Sequence, residues 1–214
     1  MDQEVEIISA ATRKEKIKNF IINKKKTIIA VFIFILLVIF SFFFYQEYEK
    51  GNKERLANKY NATIIEYEAG DKSKILSSMK EIIEDKDKTY SPLAFYYLLD
   101  NDLITSKEEI NKFFDILIKE LGLDAETKNL TIFKKGLFNS EFANENELLN
   151  ILNPVIKSES IWKPHALYLM AEYYFAKKEK QKSKEFFEQL VSLENISTKI
   201  KMEAQKRLRS DFSE

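Results

Sequence analysis

Only 4 Gly and 3 Pro occur among 214 residues, a scarcity that argues against sandwiches, barrels and doubly wound folds, which draw on Gly-rich turns. Cys is absent, so the chain has neither a disulfide framework nor a thiol site. The 34 basic and 34 acidic side chains cancel unevenly: residues 1–45 hold seven Lys or Arg against four Asp or Glu, and the net-acidic remainder excludes a basic footprint for nucleic acid.

Residues 1–26 read as a basic tail, with Arg13, Lys14, Lys16, Lys18 and the run Lys24, Lys25, Lys26. Residues 27–45, TIIAVFIFILLVIFSFFFY, then run without a charge, and 15 of these 19 are Ile, Leu, Val or Phe. As a helix this stretch is roughly 28 Å long, the thickness of a bilayer's hydrocarbon core. It exceeds a signal-peptide core and ends in FSFFFYQEYEK, without small residues for cleavage, so it reads as a permanent signal anchor. Lys24, Lys25 and Lys26 on one flank, against Glu47 and Glu49 on the other, predict a cytoplasmic N-terminus and a domain across the membrane. No GxxxG or small-xxx-small pair favours helix association in lipid.

Residues 46–210 read as an all-α domain, because apolar residues recur there at helical spacing. Leu56, Tyr60, Ile64 and Tyr67 make one stripe and, after a turn at Gly70-Asp71, Ile75, Met79, Ile82 and Ile83 make a second. A short helix over 93–99 follows Pro92. Ser106 and Glu109 form a capping box ahead of Ile110, Phe113, Phe114, Leu117 and Leu121. A helix over 126–139 is expected to bury Leu130, Phe133, Leu137 and Phe138, and another from 145 is expected to stop near 152, ahead of Pro154.

The stretch 164–195, PHALYLMAEYYFAKKEKQKSKEFFEQLVSLEN from Pro164, carries a tetratricopeptide pattern without a gap. Leu167, Met170, Ala171 and Tyr174 fall at the first-helix Trp, Leu, Gly and Tyr positions, and Ser183 and Phe187 at the second-helix Ala and Phe. Leu190 and Asn195 depart from it. A last helix over 198–209 has an apolar stripe of Ile200, Ala204 and Leu208 and a polar face of Lys199, Lys201, Glu203, Lys206 and Arg207, as a solenoid cap requires. The expected architecture is one N-terminal transmembrane helix followed by a tetratricopeptide-like helical-hairpin solenoid.

This layout, with SPLAFYYL early and KPHALYLMAEYYFAKKEKQKSKEFFEQL late, resembles the YfgM-like tetratricopeptide proteins of Gram-negative bacteria over residues 10–210. The resemblance implies an inner-membrane protein with a periplasmic domain. It also implies a scaffold that accompanies the Sec translocon, whose partners are translocon subunits, periplasmic chaperones or translocating chains. A structural subunit of another envelope assembly, with self- or partner-stacking repeats, is the alternative.

No enzyme chemistry is expected. His165, the single His, follows Pro164 and is expected to face solvent or cap its helix; without a second His or any Cys it does not suggest zinc. Glu108-Glu109 and Asp85-Asp87 mark a helix start and a helix end, and no phosphate-binding loop or nucleophile elbow occurs. No cofactor is implied. The contacts expected are protein partners and, through the one helix, membrane lipid. Among the aromatics, Tyr60, Tyr67, Tyr90, Phe95, Tyr96, Tyr97, Trp162, Tyr173 and Tyr174 are candidates for a binding face, most of them spent on inter-helix packing.

Overall fold

The computed structural model describes residues 15, 18, 20, 22–70, 74–194 and 196–212, and among them every regular element is an α-helix. Arg13, Lys14, Lys16, Asp71 and Asn195, all named above, lie outside the described residues. The chain divides into two units, Met1–Arg55 and Leu56–Glu214.

In the first unit, residues 27–45 are helical and every side chain is exposed. They belong to α1, Lys25–Glu68, a helix long and apolar enough to cross a membrane, with none of its apolar stretch buried. The helix runs on well past Tyr45 because the polar residues that follow are good helix formers, and Glu49 pairs with Lys53 one turn later at 3.0 Å. Gly51 costs such a helix about 1 kcal/mol without breaking it.

The second unit contains the end of α1 from Leu56 and then α2 (Ile75–Glu84), α3 (Tyr90–Asp100), α4 (Lys107–Glu120) and α5 (Ala125–Asn139). After these come α6 (Glu145–Ile156), α7 (Lys163–Ala176), α8 (Lys180–Val191) and α9 (Thr198–Asp211). Helices adjacent in sequence pack together from α2 to α9, and α2 also touches α4 while α5 touches α7. The core is strung out accordingly. Leu56, Met79, Phe95, Phe113 and Leu117 lie in one cluster, Leu148, Leu152, Met170 and Tyr174 in a second, and Leu167, Ala171, Phe187 and Ala204 in a third.

Scarce Gly does not prevent sharp helix ends here. Lys86, Asp102 and Lys178 adopt left-handed backbone at φ 57°, 53° and 64°, one residue past the caps of α2, α3 and α7. After α3 and α7 the amides of Leu103 and Glu179 reach back to the carbonyls of Leu98 and Tyr174, both at 2.9 Å, which closes a Schellman-type turn. That conformation costs a side-chain-bearing residue roughly 1–2 kcal/mol. The hydrogen bonds offset it by satisfying carbonyls that would otherwise be orphaned.

Several expectations need correction. Ser106 does cap α4, its Oγ accepting from the Glu109 amide at 3.2 Å, but the reciprocal half of the box is missing because the Glu109 carboxylate pairs with Lys80. The full capping box is at α6, where Asn144 and Glu147 exchange both bonds. Pro154 does not stop α6, which continues to Ile156 with Pro154 inside it. Leu152 and Val155 on either side of it are fully buried, and that burial outweighs the lost helical bond. On α5 the buried face is Thr131, Ile132, Gly136 and Asn139, whereas Leu137 is 52% exposed and Leu130, Phe133 and Phe138 are half-buried. Arg207 is not on a solvated face: it turns inward and stacks on Phe175.

Candidate interaction surface

Every second helix of the Leu56–Glu214 unit meets the next through aromatic or cationic side chains. Between α1 and α3, Tyr60 lies 6.1 Å from Tyr90 and 6.4 Å from Tyr97, and Tyr67 lies 6.2 Å from Tyr97, ring centre to ring centre. These pairs come from residues seven apart on each helix, two turns along one face. Between α3 and α5, Lys134 places its ammonium 3.8 Å from the centre of the Tyr96 ring. Between α5 and α7, Phe133 stacks on Trp162 at 6.0 Å and meets the edge of His165 at 5.8 Å. Between α7 and α9, the Arg207 guanidinium sits 4.4 Å from Phe175 and pairs with Glu172 at 3.0 Å, while Phe175 meets Phe212 at 5.9 Å.

The aromatics named from sequence separate cleanly. Phe95, Tyr173 and Tyr174 are buried, and Tyr60, Tyr67, Tyr90, Tyr96, Tyr97 and Trp162 are half-buried contacts of this series. Burial pushes the Tyr60, Tyr96 and Tyr97 phenols upward, and the Glu68 carboxylate adds to the effect at Tyr97. Exposed apolar residues flank the series: Leu93 on α3, Leu137 on α5 and Ile161 just before α7. His165 neither faces solvent freely nor caps α7; it packs between Trp162 and Phe133.

The residues aligned to the repeat pattern all lie inside. Leu167, Ala171 and Phe187 share the third cluster, Met170 and Tyr174 belong to the second, and Ser183 donates from Oγ to the Ala171 carbonyl at 2.8 Å. Tyr174 also donates to Glu145 at 3.0 Å, and Lys182 grips the same carboxylate at 2.8 Å and Glu179 at 2.8 Å. Bonds from Lys182 and Tyr174 pull Glu145 below its ordinary range, while those from Lys182 to Glu145 and Glu179 push the ammonium upward. The start of α6 is thereby tied to the α7–α8 hairpin. The Glu145 contacts escape a sequence reading because Tyr174 and Lys182 lie 29 and 37 residues from it and nothing local marks the pairing. Lys24, Lys25 and Lys26 stand exposed at the beginning of α1.

A groove of about 720 Å³ along α4 is lined by charges that neutralise one another, Lys86 with Glu120 at 2.6 Å, Lys112 with Glu84 at 3.5 Å and Lys119 with Asp115 at 3.4 Å. No cluster of three or more His or acidic side chains suited to a metal ion occurs among the described residues. No protein-family model, no curated protein and no solved structure matches this chain, so its function has to be read from its own side chains.

Proposed function

We propose that this chain is a single-pass, membrane-anchored scaffold for protein–protein interaction. Residues 27–45 span the bilayer with the lysine flank in the cytoplasm, and the helices from Leu56 onward form tetratricopeptide-like hairpins on the other side. In this reading α1–α2, α3–α4, α5–α6 and α7–α8 are the hairpins and α9 is the terminal cap. The observation that carries it is the series of aromatic and cationic contacts joining α1, α3, α5, α7 and α9, since stacked hairpins bring every second helix side by side. Half-buried Tyr and Trp beside exposed Leu and Ile supply the amphipathic, low-entropy contacts that protein partners use. A tether raises the local concentration of a weak binder at the membrane. The resemblance to YfgM-like proteins suggests partners in the Sec translocon, periplasmic chaperones or translocating chains, at a Gram-negative inner membrane.

Photo-crosslinking amino acids at Leu93, Leu137 and Ile161 test this in cells, with Glu188 and Gln189 on the exposed side of α8 as controls. Adducts with translocon subunits or periplasmic chaperones at the first set, and not at the controls, are the expected result. Adducts between copies of the chain would favour a structural envelope subunit instead. Loss of all adducts at the first set would overturn the scaffold.

A further inference from the structure

We infer that Lys18, Lys24, Lys25 and Lys26 form a binding surface for anionic phospholipid headgroups, an inference that rests on the membrane reading of residues 27–45. Between Glu15 and Glu47 the sequence has no acidic residue, and all its basic residues there precede Thr27. The four lysine side chains are exposed, and among the described residues none of them meets a carboxylate. Lys25 and Lys26 open α1, and helix-type bonds bracket Lys24: its amide bonds to the Phe20 carbonyl and the Ile28 amide to the Lys24 carbonyl, both at 2.9 Å.

Helical geometry decides what kind of partner fits. Consecutive residues are turned by about 100°, so Lys24, Lys25 and Lys26 fan out over more than half the helix circumference. A flat protein face meets only part of this fan, whereas headgroups surround a helix on every side. The run also ends where the uncharged stretch begins, so the flexible stems can lie along acyl chains while the charges rise to the phosphate level. Phe20 and Ile22, 61% and 59% exposed just before the lysines, have the apolar character that the boundary between headgroups and acyl chains accommodates. A juxtamembrane cluster of this sign is attracted to an anionic leaflet, which relieves the repulsion among its own ammonium groups.

The test uses the full chain in phosphatidylcholine bilayers doped with spin-labelled phosphatidylglycerol or spin-labelled phosphatidylcholine, reading the motionally restricted fraction beside the helix. The anionic label is expected to be enriched at least about threefold at low salt. That ratio should fall towards one near 1 M salt, where the Debye length is about 3 Å. Combined Lys24→Gln, Lys25→Gln and Lys26→Gln should remove most of the enrichment, and the corresponding Arg replacements should keep it. Undiminished enrichment in the Gln variant would overturn the assignment. A ratio near one in a chain that co-floats with neutral vesicles overturns only the lipid surface; failure to co-float overturns the membrane reading along with it.

Discussion

Replacing Ala171 with Arg is expected to destroy cooperative melting of the α7–α8 hairpin. Ala171 is fully buried, packs with Leu167, Phe187, Leu190 and Ala204, and its carbonyl accepts the Ser183 hydroxyl at 2.8 Å. A guanidinium there would be desolvated without a partner, which costs several kcal/mol, and its bulk adds roughly 1–3 kcal/mol of overpacking. Together these approach the whole stability of an ordinary domain, about 5–15 kcal/mol. Circular dichroism of the full chain in detergent should show the melting midpoint lowered by roughly 10 °C or more, or the transition lost. Ala171→Ser, nearly isosteric, should melt within a few degrees of the parent. Unchanged melting of the Arg variant would mean that α7 and α8 do not cross at Ala171.

Gly136→Ala is a sharper test because two effects oppose each other. Inside a helix, Ala is favoured over Gly by about 1 kcal/mol. A Cβ at position 136, however, would lie 2.3 Å from Leu152 Cδ2 and 2.8 Å from its Cγ, so both the tip and the branch point of a fully buried Leu152 would have to move. Overpacking of this kind costs about 1–3 kcal/mol, so the sign should be destabilising and the midpoint should drop by several degrees. Leu152→Ala alone should cost about 2–5 kcal/mol. The double variant should be more stable than the sum of the two losses predicts, by roughly 0.5–3 kcal/mol, because each change relieves the other. A rise in melting temperature for Gly136→Ala would contradict the close α5–α6 crossing.

Gly136 also shows where reading from sequence stops. Periodicity was enough to place α2 and α4, because their buried faces are apolar at helical spacing and Ser106 marks a start, whereas α7 and α8 were placed by the repeat pattern over 164–195. On α5 the same logic finds only the edge of the buried face, with Leu130, Phe133 and Phe138 half-buried and Leu137 exposed. The inward face carries a glycine, a threonine whose hydroxyl bonds to the Thr127 carbonyl, and Asn139, whose amide exchanges hydrogen bonds with Asn111 of α4 at 2.8 and 3.1 Å. Small and mutually satisfied polar residues are buried where backbones come close, and an apolar pattern cannot register them. Pro154 misled for a related reason, since a breaker acts on its own turn while the burial of Leu152 and Val155 belongs to the neighbouring helices.

The candidate surface was half legible. Tyr60, Tyr67, Tyr90, Tyr96, Tyr97 and Trp162 stood out as aromatics, but spacing along one helix does not reveal which side chain lies opposite on another. Arg207 reads from sequence as part of a solvated face; its position over Phe175, like that of Lys134 over Tyr96, depends on the packing of α7 on α9 and of α3 on α5. The long apolar helix was the most legible part, because length and composition alone decide whether a helix could cross a bilayer, and residues 27–45 satisfy both.

Proposing that helices beyond the anchor meet partners across the membrane makes orientation the deciding quantity. A dual topology reporter fused after Glu214, one half active only in the cytoplasm and the other only outside it, measures this directly. The lysine flank at Lys24, Lys25 and Lys26 predicts an extracytoplasmic C-terminus. A C-terminus in the cytoplasm would contradict the location, the proposed partners and the resemblance together.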